Sequence, residues 1–218
     1  MKNVLFYGDS NTWGYDPHTG GRYPYDVRWT TVAAELLGDG YRCVAAGLNG
    51  RTTVFDDPWK DCRNGRTALD YELQTHKPLD LVCMMLGTND LKFGNAHRSA
   101  RGIETLTAMI MTANGRFSTS SPVFPDGARL LIISPILINE KRENNEEDDL
   151  MPDGHGQSKL FAPLYGAVAE KYGAYFLDAA ALAYPSDIDC EHLTEEGHRA
   201  LGEAVARRIR EIFAQADQ

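Results

Sequence analysis

The stretch "NVLFYGDSNTWG", Asn3–Gly14, decides how this chain is read. Its first half, Asn3–Tyr7, is a short apolar run without polar alternation, the pattern of a parallel strand covered on both faces. Its second half switches at once to Gly8, Asp9 and Ser10. All three are turn formers, so a turn closing the strand accounts for them. It does not account for what the rest of the chain places at equivalent positions.

Four further runs of the same kind follow: Tyr41–Ala45, Leu79–Leu86, Arg129–Ser134 and Ala174–Asp178. Helical patterns separate them. Trp29, Val32, Ala33, Leu36 and Leu37 fall at i, i+3, i+4, i+7 and i+8, and Gly38 stands where a C-terminal cap belongs. Ile103, Leu106 and Ile110 mark a second helix, and Leu160–Tyr172 a third, started or interrupted by Pro163. The last helix follows Thr194, a good N-cap, with Glu195 and Glu196 in its first turn and an apolar stripe of Leu201, Val205, Ile209 and Ile212. This alternation predicts a three-layer α/β/α fold on a parallel five-stranded sheet, in the flavodoxin-like order 2-1-3-4-5.

The 218 residues suit one α/β domain, 1–218. The segment "NEKRENNEEDDLMPDG" departs from the pattern; it is acidic and aperiodic. It reads as a solvated loop insert at about 139–156, or as an ordered loop bordering the site or a subunit contact.

The composition narrows the function. A net charge of −9 argues against nucleic acid or an anionic membrane as partner and slightly disfavours polyanionic substrates. No apolar run approaches the ~18–20 residues of a membrane span. Met1-Lys2-Asn3 leads straight into the first strand with no signal-peptide pattern, so a cytoplasmic location is expected. Cys43, Cys62, Cys83 and Cys190 show no C-x-x-C spacing, and neither a metal site nor another cofactor is expected. Cys43 and Cys83 read as small core residues.

The polar residues gather at strand ends. "GDS" closes the first strand, "GLNGRTT" (Gly47–Thr53) follows the second, "GTND" (Gly87–Asp90) closes the third, and "DIDCEHLT" (Asp187–Thr194) precedes the last helix. Open parallel sheets bind ligands outside the carboxyl ends of their strands. With strand 1 between strands 2 and 3, Ser10 falls between Gly50 and Asn89. These are the parts of nucleophilic acyl transfer. A serine hydroxyl needs a base, which His192 can be near neutral pH. Asp189, three residues earlier, can hold the other imidazole N–H and stabilise the imidazolium. The Ser10 and Gly50 N–H groups and the Asn89 amide can donate to an oxyanion. Asp9 reads as the cap of the following turn. Trp13, Tyr15, Trp59 and Phe93 follow the site blocks and read as packing or as pocket walls, Trp13 foremost, and Arg28 and Arg51 read as scaffold, paired with Asp26, Asp56 or Asp57. His18, His76, His97, His155 and His198 have no aspartate three residues earlier and read as solvated surface.

Jointly, Ser10 in "FYGDSNTWG", Gly50 in "GLNGRTT", Asn89 in "GTND" and Asp189/His192 in "DIDCEH" resemble the four blocks of the SGNH (GDSL-type) hydrolases. "DVRWTTVAAELLG" and "LVCMMLGTND" resemble a narrower branch of small oligomeric arylesterases that also perform acyl transfer and perhydrolysis; some relatives deacetylate carbohydrates. The resemblance implies a homo-oligomeric serine esterase acting on small, mostly acetyl, esters through an acyl-enzyme. Some members of that branch carry Ala at the position of Gly50, which leaves a backbone donor intact, and the acidic insert has no counterpart.

Three other readings compete. A carbohydrate O-acetyl deacetylase would use the same machinery. A two-metal phosphoesterase would draw on Asp9, Asn89, Asp90 and His192, but a single histidine in the site blocks is too few. A flavodoxin-like small-ligand binding domain would need no nucleophile, and no phosphate-binding glycine loop is present.

Overall fold

A computed structural model describes residues 1–117, 121–144 and 150–216. Its strands are β1 (Lys2–Gly8), β2 (Tyr41–Gly47), β3 (Leu81–Met85), β4 (Leu130–Ser134) and β5 (Tyr175–Asp178). Its helices are α1 (Ser10–Trp13), α2 (Trp29–Leu37), α3 (Gly65–His76), α4 (Ala96–Met111), α5 (Ala113–Arg116), α6 (Gly154–Ser158), α7 (Phe161–Tyr172) and α8 (Glu195–Ala216). All strand pairs are parallel, and the sheet order is β2-β1-β3-β4-β5, as the sequence predicts.

Side chains of a strand alternate between faces, and two cores result. Leu5, Tyr7, Val82, Met84 and Ile132 pack with Leu69 and Leu73 of α3, Ile103, Leu106 and Ile110 of α4, and Phe161 and Tyr165 of α7. Val4, Phe6, Leu81, Cys83, Leu131 and Ile133 pack on the other face with Trp29 and Ala33 of α2 and the Leu201, Val205, Ile209 and Ile212 stripe of α8. Each such fully buried side chain contributes roughly 1.5–3 kcal/mol. Only β3 and β4 are buried throughout and β1 nearly so; β2 and β5, at the sheet edges, are half-exposed along much of their length. An edge strand has a neighbour on one side only, so full burial of all five runs was more than the fold requires.

α3 has no counterpart in the sequence reading. Its sequence "GRTALDYELQTH" turns few apolar residues inward, chiefly Leu69 and Leu73, although Asn64 caps it through Arg66 N–H. Pro163 lies in the first turn of α7, where its missing N–H has no intrahelical partner to lose. The acidic segment begins as a 3₁₀ turn at Glu140–Asn144 and leads into α6; residues 145–149 lie outside those described. Among the described residues, no helix is long and apolar enough to cross a membrane.

Two close approaches shape the carboxyl edge. A Cβ on Gly47 would lie 2.2 Å from Trp13 N, so only glycine lets the end of β2 touch α1. Gly50, at φ +75°, is the third residue of a turn closed by Arg51 N–H to Leu48 O at 3.0 Å.

Candidate active site

The strand ends bring Ser10, His192 and Asp189 into one hydrogen-bonded line. His192 Nε2 lies 2.8 Å from Ser10 Oγ, and His192 Nδ1 lies 2.7 Å from Asp189 Oδ2. Ser10 is the first residue of α1, and Asp9 caps that helix by accepting from Asn11 N–H. Asp189 Oδ1 accepts from the Glu191 and His192 N–H groups, so the carboxylate is fixed from two sides. That arrangement makes Nδ1 the donor and leaves Nε2 to accept from the serine, the tautomer a general base requires.

Electrostatics favour the protonated, imidazolium form of His192. Burial of His192 works against its charge, yet the Asp189 hydrogen bond and the fields of Glu191, Asp189 and Asp9 outweigh it, and its pKa is raised. Asp189 is lowered, because its bonds to His192 and to two backbone N–H groups overcome the cost of burial. Asp9 is pushed up to about 7 by burial, with partial relief from the Asn11 N–H and His192.

Gly50 and Asn89 line the same cavity as Ser10 and His192. The cavity holds about 270 Å³ and is completed by Tyr15, Asn49, Lys60, Arg63, Lys92 and Glu191. Asn89 Nδ2 donates to Arg51 O at 3.2 Å, and Asn89 Oδ1 accepts from Lys92 Nζ at 2.8 Å. A larger cavity, about 530 Å³, is lined by Ile138, His155, Tyr184 and Asp187 among others, and neither Ser10 nor His192 reaches it.

Residues 6–200 match the model of the GDSL-like lipase/acylhydrolase family. The chain belongs to that family. It is a carboxylic ester hydrolase of α/β/α fold. No curated protein matches it. Among solved structures it is similar to a carbohydrate acetylesterase family member from Sinorhizobium meliloti, with 37% identity, TM-score 0.86, and coverage of 98% of this chain and 100% of that one. The M. smegmatis aryl esterase shares 34% identity at TM-score 0.86, over 97% and 99% of the two chains.

Asn11 is not legible in the sequence as a site residue, whereas Tyr15 reads there as a lesser pocket-wall candidate and Arg142 as part of a loop insert with the site border as one of its places. Asn11 clamps the histidine loop: its Oδ1 accepts from Leu193 N–H at 2.9 Å and its Nδ2 donates to Glu191 O at 3.3 Å. Tyr15 packs on the His192 ring at a centroid distance of 4.2 Å. Trp13, read as a pocket wall, is not among the cavity-lining residues; the Arg22 guanidinium covers its ring at 4.8 Å. Arg142, from the acidic segment, donates to Glu191 Oε2 at 2.7 Å and to Asp189 O at 3.3 Å.

The scaffold residues also find partners other than those expected. Arg51 is buried over the Tyr7 ring and donates to the Gly8 and Ala46 carbonyls, tying β1 to β2. Arg28 donates to Tyr23 O and lies over Tyr25. Asp90 accepts from the N–H and hydroxyl of Thr53 and is pushed up to about 6 by burial, against those bonds. His198 is not solvated surface. It is 0% exposed, and its Nδ1 accepts from Trp29 N–H at 3.2 Å. His155 is half-buried with Nδ1 2.6 Å from Ile138 O, and His76 pairs with Glu72. His18 and His97 are exposed, as expected.

Proposed function

We propose that this esterase hydrolyses small, chiefly acetyl, esters with Ser10 as nucleophile, His192 as general base and Asp189 as its orienting acid. The observation that carries the reading is the unbroken Ser10–His192–Asp189 line at 2.8 and 2.7 Å. His192 takes the serine proton as Oγ attacks the acyl carbon. The tetrahedral oxyanion is held by the Ser10 and Gly50 N–H groups and Asn89 Nδ2. The imidazolium then gives its proton to the leaving alcohol, and water activated by the same histidine releases the acid.

A cavity of about 270 Å³ suits a short acyl group. The aryl esterase and carbohydrate acetylesterase similar to this chain support small esters and sugar acetates as the two substrate classes to compare. The acyl-enzyme can pass its group to an alcohol or peroxide in place of water, and exclusion of water decides the share. Oligomerisation belongs to the same reading: Trp59, 75% exposed and stacked at 6.4 Å on Phe93, would narrow the entrance between subunits. The test is a series of 4-nitrophenyl esters from acetate to octanoate. Acetate should give the highest kcat/KM, and Ser10→Ala should abolish turnover across the series. A preference for octanoate would contradict the small-ester reading.

A further inference from the structure

The rim of the Ser10 cavity carries a charge opposite to that of the chain. The protein has a net charge of −9. Three of the ten cavity-lining residues are cations, Lys60, Arg63 and Lys92, against one acid, Glu191. Glu191 is already held by Arg142 at 2.7 Å, with both side chains largely buried. Lys92 is turned onto Asn89. Arg63 lies against the oxyanion turn: its Cδ and Nε are each 3.4 Å from the place a Cβ on Gly50 would occupy. Its Nε is buried with no hydrogen-bond partner among the described residues.

The acids beside these cations face elsewhere. Asp56 Oδ1 accepts from Asn64 Nδ2, and Asp57 Oδ1 accepts from the Trp59 and Lys60 N–H groups. Asp61 is exposed and does not line the cavity. Lys60 and Arg63 therefore present positive charge to the cavity.

We infer that the site selects esters whose alcohol portion carries an anionic group, a carboxylate, sulfate or phosphate, met by Lys60 and Arg63 while the acyl group sits at Ser10. This rests on the reading of Ser10 as nucleophile. Lys60 is exposed at the mouth, where the alcohol portion leaves toward solvent, so the charge belongs on the leaving group rather than on the acyl chain. Opposite charge at a cleft mouth raises local substrate concentration and discriminates against neutral competitors.

The experiment compares 4-carboxyphenyl acetate with its methyl ester and with phenyl acetate, each rate divided by its hydroxide-catalysed rate to remove leaving-group reactivity. The normalised kcat/KM should be about tenfold higher for the carboxylate than for the methyl ester, equivalent to ~1.4 kcal/mol. That ratio should shrink as ionic strength rises from about 0.02 to about 0.3 M. Lys60→Gln and Arg63→Gln should each bring it toward one. A wild-type ratio of one or below would overturn the inference while esterase activity on phenyl acetate still stood. Wild-type inactivity on all three esters would instead overturn the assignment of Ser10.

Discussion

Lys92 Nζ donates to Asn89 Oδ1 at 2.8 Å, and this bond fixes which way the Asn89 amide faces. An ammonium has only donors, so it draws the carbonyl oxygen and leaves Nδ2 to donate to Arg51 O, at the cavity that Asn89 lines. Asn89→Ala should lower kcat by ~10²–10³ with little change in KM, because the donor acts mainly in the transition state. Lys92→Met should cost less, about fivefold in kcat, the equivalent of ~1 kcal/mol for one orienting bond. Steady-state kinetics on phenyl acetate check both. A pure KM effect of Asn89→Ala would make it a substrate-binding group.

The pH profile follows from the raised pKa of His192. With His192 as the proposed base, only its neutral imidazole is active, so kcat/KM should rise with pH through that pKa. A raised value places the midpoint above the ordinary 6.5. Glu191→Gln and Asp9→Asn each remove a negative field that stabilises the imidazolium, so each should move the midpoint to lower pH. Asp9 itself titrates near 7, so the wild-type rise belongs to a coupled pair and should be broader than one proton. Asp189→Asn should lower kcat by about 10⁴, the loss this change causes in serine proteases. Profiles from pH 5 to 9 test these shifts, and a flat wild-type profile would refute the base.

Arg142 and Glu191 form a nearly buried pair, 49 positions apart, at the loop that carries the histidine. Removing one partner of such a pair leaves an uncompensated charge. Arg142→Met should cost about 3 kcal/mol, and adding Glu191→Met should recover most of it. Urea unfolding of the two single variants and the double variant closes the cycle. Strict additivity would mean that the pair does not hold the loop.

His198 ties acid stability to the packing of α2 on α8. Burial, with smaller contributions from His192 and Arg28, lowers its pKa to about 4. Its Nδ1 accepts from the first N–H of α2, and the positive end of a helix disfavours a cation there. The unfolded chain binds this proton near 6.5 and the folded chain near 4. The stabilisation is complete above pH 6.5 and is lost progressively as pH falls toward 4. Between pH 6.5 and 5 the loss is about 2 kcal/mol. His198→Gln should flatten this part of the profile. Equal slopes for wild type and variant in urea unfolding at several pH values would remove His198 as the cause.

Much of this was legible in local pattern. The apolar runs announced all five strands, and the turn residues at their ends placed Ser10, Gly50, Asn89, Asp189 and His192 on one edge of the sheet. What escaped depends on distant partners or on faces with few apolar residues. α3 turns little beyond Leu69 and Leu73 to the core, too little for periodicity to register. Tyr15 is a lesser pocket-wall candidate in the sequence, and its place on the His192 ring depends on a bridge between Tyr15 and Arg22 in the segment after α1. Arg142 sits in a run whose charge reads first as a solvated loop; its bonds to Glu191 and Asp189 O fit the alternative, an ordered loop bordering the site. His198 carried a signal that was overlooked: it lies three and seven residues before Leu201 and Val205, on the buried stripe of α8.

A nucleophilic Ser10 must become covalently acylated during turnover, and an irreversible phosphorylating analogue traps it in that role. Diethyl 4-nitrophenyl phosphate transfers its diethylphosphoryl group to an activated serine Oγ and releases 4-nitrophenolate, the serine proton passing to the base. Mass spectrometry of the inactivated protein should find one added group, on the peptide bearing Ser10, appearing in step with the loss of esterase activity. Ser10→Ala should take up none and should retain less than a tenth of wild-type activity, a loss beyond ~1.4 kcal/mol. Inactivation with the group on another residue, or a Ser10→Ala variant that keeps its activity, would contradict the account.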